Sequence, residues 1–338
     1  MRPLPERQWQ FPNGARFAFT IMDDTDVATV DNVQPIYRLF EELGMRTTKT
    51  VWMRAYRGGW SAFRMSETME DPRYRDFVID LHARGFEIAF HCASMESSER
   101  STTSEALRQF TETFGAPPKV HANHSFNREN LYWGADRLDN SLLRALYRRT
   151  CGVPHGHYQG HMEGSPYYWG DLARSAITYV RNLTFDELNI ARLNPSMPYR
   201  DPRRPLANWW FSAADAEGGK QFNALLHPDN QNRLEAEGGF CIVATHLGKG
   251  YCRGGRLDPT TQALLEQLAS RQGWFPTVGE LLDWLRSNSG EDQLPPDEWR
   301  HMQRRWMTDL AARNLKNKAD RMGKRVNRML TRSTRQVL

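Results

Sequence analysis

No stretch of this 338-residue chain is apolar for long enough to cross a bilayer, which takes roughly 20 residues. The opening MRPLPERQWQFPNG has no apolar core, so a secretory signal is not expected. Cysteine is scarce: Cys92, Cys151, Cys241 and Cys252 form no CxxC and no close pair. Cys241 lies in an apolar run, as a buried free thiol would. A reduced, cytoplasmic chain is the expectation, with two disulfides left open. Internal repeats and low-complexity segments are also lacking, which sets repeat architectures aside. What remains is ordinary for a folded protein, 39% hydrophobic and 25% charged, with length for one large core or two smaller ones. Eleven Trp and eleven Tyr are plentiful. Such rings line carbohydrate sites, though any single one is more often core.

The net charge of +5 conceals an asymmetry. Residues 299–338 hold 12 Lys/Arg against Asp309 and Asp320, a net +10, which leaves −5 for the other 298 residues. A basic tail of this kind has its own task. Trp306, Leu310, Leu315, Met322, Val326 and Leu330 recur at helical steps within it. The pattern suits an amphipathic helix that lies on anionic lipid, packs on the main domain, or meets a second subunit. Nucleic acid is disfavoured, because no recognisable binding module accompanies the charge.

Short β-rich runs alternate with segments of helical period, which argues for βα units and a largely parallel sheet. ARFAFTIMDD (15–24), TTKTVWMRAY (47–56), FEIAFH (86–91), KVHANH (119–124), AITYVRNL (176–183) and GFCIVATH (239–246) read as strands. Helices are expected over NVQPIYRLFEELG, with Gly44 as its stop, over DPRYRDFVIDLHARG, and over EALRQFTETFG with a cap from Ser101–Ser104. A further helix is expected near 138–150, and TTQALLEQLASRQG and VGELLDWLRS close the domain. Between 130 and 235 the pattern loosens into Tyr, Trp, Pro, Asn and Arg, as functional loops do. The expected organisation is a domain over 1–287, a linker over 288–296 and a basic helical tail over 297–338.

Barrels keep their chemistry at the carboxyl ends of parallel strands. Those positions here are Asp23/Asp24, His91, His121/His124 and His246. Neutral imidazole with carboxylate is a normal ligand set for zinc and similar divalent ions. Taken singly, each residue has a plainer reading: DD as a turn or cap, a terminal His as a structural one, and His155, His157 and His161 as a solvated loop. The agreement of four separate strand ends is what favours a metal site. Adjacent aspartates point to opposite faces while strand geometry lasts, so a bend at the strand end is needed for both to serve one site.

On these motifs the chain resembles the polysaccharide deacetylase (NodB-homology) superfamily. FTIMDDTD (19–26) is similar to that family's first motif, and GFEIAFHCAS (85–94) to its second. GAPPKVHANHSFN (115–127) stands in the place of the third, and THL (245–247) where a late strand ends in a histidine. The likeness spans about residues 15–285. It implies a distorted (β/α)7-type barrel, with Asp23 as catalytic base, Asp24 and His91 as metal ligands and His246 as general acid. It also implies hydrolysis of an N-acyl group from a sugar. Two departures stand out: Met95 occupies the place of the second metal histidine, and no Arg is in register in the third motif, Arg128 being near. His124 is therefore the first choice for third ligand and His161 the second; a site that binds no metal is the other option. ANHSFNRENLYWG (122–134) and SPYYWGD (165–171) resemble segments of a variant subfamily from surface-polysaccharide clusters. That likeness puts Arg128, Trp133, Tyr168, Trp169 and Asp171 on the substrate side.

The leading reading is a zinc-type hydrolase that removes acetyl or formyl from a nucleotide- or lipid-linked amino sugar, with a homo-oligomer left open. A sugar-binding or scaffold protein on the same barrel competes with it. A DxD phosphatase using Asp24 and Asp26 is a third reading; it lacks the later lysine and acidic pair it needs.

Overall fold

The computed structural model describes residues 9–58, 65–289 and 292–313. Seven parallel strands form its centre: β1 (Phe17–Asp23), β2 (Thr48–Val51), β3 (Glu87–Phe90), β4 (Val120–His121), β5 (Tyr179–Phe185), β6 (Trp209–Ala216) and β7 (Phe240–Thr245). They run in sequence order, and β1 pairs with β7 from Ala18↔Phe240 to Asp23↔Thr245, which closes the sheet. This is the (β/α)7-type barrel that the family resemblance implied, built from the parallel βα units that the alternating pattern argued for. A hairpin, β8 (Cys252–Arg253) with β9 (Arg256–Leu257), follows. β10 (Gly273–Trp274) then lies beside the start of β1.

The strands are nearly continuous apolar runs because both faces are covered. β6 was hidden in the loosened stretch; WWFSAADA is such a run, with all but Asp215 buried. Helices wrap the outside. α1 (Val30–Glu42) starts in a reciprocal cap between Thr29 and Asn32 and buries Val33, Ile36, Tyr37 and Phe40. α2 (Pro72–Ala83) buries Tyr74, Phe77, Val78 and Leu81. α3 (Arg100–Phe114) begins earlier than expected: Ser101–Ser104 lie inside its first turns, and Glu99 precedes it without a side-chain cap. Arg100 fixes that start, its N–H donating to the Pro166 carbonyl and its guanidinium to Asp171. Gly115, at φ 78°, ends the helix. α4 (Ser141–Cys151) and α5 (Gly170–Ala176) sit in the long β4–β5 connection, and α6 (Gly219–Leu225) and α7 (Pro228–Glu237) link β6 to β7. α8 (Pro259–Ala269) and α9 (Val278–Ser289) complete the ring.

The segment expected as a linker is engaged where it is described: the Arg200 N–H donates to the Asp292 carbonyl, and Arg200 bridges to Gln293. Residues 296–313 are helical and pack back on the barrel through Trp299, Met302, Trp306 and Met307. Arg137 lies between the Trp133 and Trp306 rings, 3.9 and 4.2 Å from their centroids. Leu315, Met322, Val326 and Leu330 fall outside the described residues.

Candidate metal centre at the carboxyl ends of the strands

The residues after β1 decide the site. Asp23, still in β1, is fully buried; its Oδ2 accepts from Lys49 Nζ at 2.8 Å and from the Tyr37 hydroxyl at 2.9 Å. Tyr37 lies on α1, so Asp23 points outwards into the strand–helix layer. Burial works against the Lys49 charge, but Asp23 beside it raises its affinity for the proton. The other Asp23 oxygen accepts from the Leu247 N–H at 2.9 Å and ties down the turn after β7.

Asp24 points the other way. Its two oxygens accept from Arg181 at 2.8 and 2.6 Å. β1 and β5 are not neighbours, so this fork crosses the barrel interior. The register of β5 on β6 shifts between Arg181 and Thr184, a bulge of the kind that re-aims a side chain. Burial opposes the Asp24 charge, yet Arg181, with His91 and His246 nearby, holds its carboxyl below the usual range.

The carboxylate that faces the histidines is Asp26. Its Oδ1 is 3.4 Å from His91 Nε2, and its Oδ2 is 3.5 Å from His124 Nε2 and 3.6 Å from His246 Nε2. The ligand atoms of Asp26, His91 and His124 lie within 4.8 Å of one another. Burial penalises the Asp26 charge, but the His124 and His91 rings hold it well below the ordinary carboxylate range. His124 is correspondingly raised by Asp26 against the pull of burial.

Each imidazole is oriented from behind. His91 Nδ1 lies 2.9 Å from the Ala122 carbonyl, His124 Nδ1 3.0 Å from Asn127 Oδ1, and His246 Nδ1 2.9 Å from the Glu217 carbonyl. With a proton on each Nδ1, the Nε2 lone pairs of His91 and His124 turn towards Asp26. His124 reaches the site because β4 stops at His121 and the chain turns, Asn127 N–H donating to the His124 carbonyl. Asn127 is itself fixed by donating to the Ser94 carbonyl and to Glu129. Burial pushes the Glu129 carboxyl up to about 7. Trp52 walls the cluster, stacked on His91 at 5.9 Å and edge-on to His124 at 5.4 Å. Val27 and Cys92, directly after Asp26 and His91, hold φ of 62° and 63°. Such conformations are costly for side-chain-bearing residues and gather at functional sites.

The donor set fits a divalent cation. Two imidazole nitrogens and a carboxylate are a normal three-ligand arrangement for zinc and its neighbours. Asp26 Oδ1 is buried without a hydrogen-bond partner, the state a metal would relieve.

The remaining candidates divide. His246 is at the cluster, 16% exposed at its side chain, and Lys249 Nζ stands 3.8 Å from Asp26. His161 lies elsewhere, its Nδ1 accepting from the Tyr132 N–H and its ring on Tyr132. His121 is fully buried on the Phe90 carbonyl, and burial pushes its pKa down to about 3. Trp169, expected on the substrate side, is a core residue packed on Phe90 and His121, with Nε1 donating to the Glu129 carbonyl. Asp171 is taken up by Arg100, which also lies over Tyr168. Arg128 lies over Tyr167, and Trp133 over Arg137. A polar groove of about 560 Å³ is lined by residues that follow β2 and β3, Arg54, Arg57, Ser94, Glu96 and Ser98 among others.

No protein-family model matches the chain, and no curated protein matches it. Among solved structures, that of a "putative polysaccharide deacetylase" from Mycobacterium smegmatis aligns with a TM-score of 0.50 at 13% identity, over 87% of this chain and 98% of that one. The barrel has the polysaccharide deacetylase fold. Peptidoglycan deacetylase PdaC from Bacillus subtilis aligns at 10% identity and TM-score 0.40, covering 88% of this chain and 99% of that one. A family 4 acetyl xylan esterase from Clostridium thermocellum, in complex with a cobalt ion, aligns at 13% identity and TM-score 0.37, covering 83% and 98%.

Arg181 and Lys49 are the site residues that sequence reasoning passed over; Asp26 entered there only in the phosphatase reading, not as a metal ligand. A charge inside an apolar strand, as in AITYVRNL and TTKTVWM, is the signal that marks the first two.

Proposed function

We propose that this protein is a metal-dependent carbohydrate deacylase that removes an acetyl or formyl group from an amino sugar. The observation that carries the reading is the convergence of Asp26, His91 and His124 at the carboxyl ends of a deacetylase-type barrel, with Asp24 and His246 beside them. In this reading Asp26, His91 and His124 hold a divalent ion, and Asp24 rather than Asp23 is the base. The ion supplies Lewis acidity towards the acyl oxygen and acidifies water at neutral pH.

The chain's own residues do the rest. Arg181 presents Asp24 as an oriented carboxylate, and Asp24 takes the proton of the attacking water. His246, with Nδ1 set by the Glu217 carbonyl, delivers a proton from Nε2 to the leaving amine. Trp52 keeps one wall of the site apolar and limits water there. The polar groove offers hydroxyls, carboxylates and guanidinium groups to a sugar. The DxD phosphatase reading loses ground, because the strand ends around Asp26 present His91, His124 and His246 where that chemistry needs a further acidic pair.

The test uses the purified full chain. One divalent ion per chain by elemental analysis, with acetate or formate released from N-acylated amino sugars, is the expected result. Asp26→Asn should remove both ion and turnover. A wild-type chain that takes up no ion when dialysed against zinc or cobalt refutes the reading and leaves a sugar-binding scaffold.

A further inference from the structure

α4 turns an apolar stripe to solvent instead of to the core. Tyr147 is its one buried residue, whereas Leu142 and Leu146 are 77% and 48% exposed. They lie four apart, so they share a face with Arg149, one helical turn beyond Leu146. Arg148 and Arg149 make the last turn basic. An exposed leucine alone needs no explanation, but a leucine pair flanked by arginines on one short helix is the pattern of an interfacial helix.

The neighbourhood reinforces this. The inner side of α4 stacks Tyr147 on Trp306, ring centroids 5.4 Å apart, which places the C-terminal helix directly beside it. That helix continues to Arg313, which pairs with Asp215 on β6. The chain then goes on for 25 residues, 314–338, with eight Lys/Arg against Asp320 alone. Arg148 and Tyr147 also line a crevice with His157 and Tyr158. Those two brace the loop of Phe126, itself 72% exposed and two residues from His124. The crevice thus lies between α4 and the loop that carries Phe126.

We infer that the outer face of α4 docks on an anionic lipid surface, drawn to it by Arg148, Arg149 and the net +10 that the sequence carries over residues 299–338. Leu142 and Leu146 enter the headgroup boundary, and the basic charge supplies attraction to negative lipid. Charge decides against a second copy as occupant, because each copy would bring the same net +10 over residues 299–338. No described helix is long and apolar enough to cross a membrane, so the contact is peripheral. The inference is independent of the chemistry assigned to the metal cluster.

Co-sedimentation of the full chain with vesicles tests it. Phosphatidylcholine vesicles with about a third phosphatidylglycerol should capture the protein, and pure phosphatidylcholine should capture far less. L142E/L146E should weaken capture by roughly tenfold or more, with an unchanged thermal melt and unchanged metal uptake. L142Q/L146Q serves in its place should the acidic pair disturb folding. Absence of wild-type capture, or equal capture of the L142E/L146E protein, overturns the inference. So does a dimer, seen by light scattering, that L142E/L146E splits while vesicles bind neither form; the face then belongs to a second copy.

Discussion

Replacing Asp23 by Asn separates the present assignment from the one the first motif suggests. The Asp23 and Lys49 side chains are both wholly buried, 2.8 Å apart. At an effective dielectric near 20 their attraction is about 6 kcal/mol, set against a desolvation cost of several kcal/mol for each ion. The net worth of the pair is therefore small, but the cost of breaking it is not. Asp23→Asn leaves the Lys49 ammonium buried without its carboxylate, a loss of about 3–5 kcal/mol. In a chain of this size that lowers the melting temperature by roughly 4–7 °C. Below its melt, the variant should still bind one metal ion and turn over substrate, because Asp26 and Asp24 are untouched. Asp24→Asn should do the reverse, keeping metal while turnover falls by about 10²–10⁴. The double change Asp23→Leu with Lys49→Met should recover most of the lost stability, since no charge is then stranded. Calorimetry, elemental analysis and an acyl-release assay on the same preparations decide the matter. An Asp23→Asn protein that melts like wild type, holds its ion and is inactive would refute the reasoning and return the base to Asp23.

Two other perturbations probe the frame around the site. Glu129 is buried, with its folded pKa raised from 4.5 to about 7. The folded state therefore holds that proton more tightly, and the stability it contributes below about pH 4.5 is lost as pH rises towards 7. The loss is about 3 kcal/mol for the metal-free protein. Urea unfolding at pH 5 and pH 8 in chelator should show Glu129→Gln gaining on wild type across that window; parallel profiles would refute it. Trp306→Ala removes a ring from Arg137 and Tyr147 and should cost about 3–5 kcal/mol, read as a lowered melting temperature. An unchanged melt would mean that the C-terminal helix does not hold to the barrel in solution.

The barrel was legible because its strands carry its period. FAFTIMD, EIAF and FCIVAT are buried on both faces, and each is followed by a segment with helical spacing. β6 escaped because it lies between loop-like stretches, where a two-sided apolar run is hard to tell from aromatic loop residues. The start of α3 escaped for a different reason: four consecutive Ser/Thr residues look like caps, but a distant contact, Arg100 with Asp171, decides where the helix begins.

The orientation of the carboxylates follows from one geometric fact. Side chains alternate along a strand, so Asp23 and Asp24 cannot both face the interior while β1 persists. Which of them does so is set by partners far away in sequence: Lys49 and Tyr37 draw Asp23 into the helix layer, and Arg181 draws Asp24 across the barrel. Asp24 still keeps strand-like pairing, its N–H donating to the Thr245 carbonyl, and the chain then bends, with Val27 at positive φ. That bend brings Asp26, and not an adjacent aspartate, level with His91 and His124. A doubled carboxylate at a strand end is thus read correctly only by asking which side each oxygen pair finds a cation on. In this chain two buried cations, Lys49 on β2 and Arg181 on β5, answer for Asp23 and Asp24 and leave Asp26 as the carboxylate that faces the histidines.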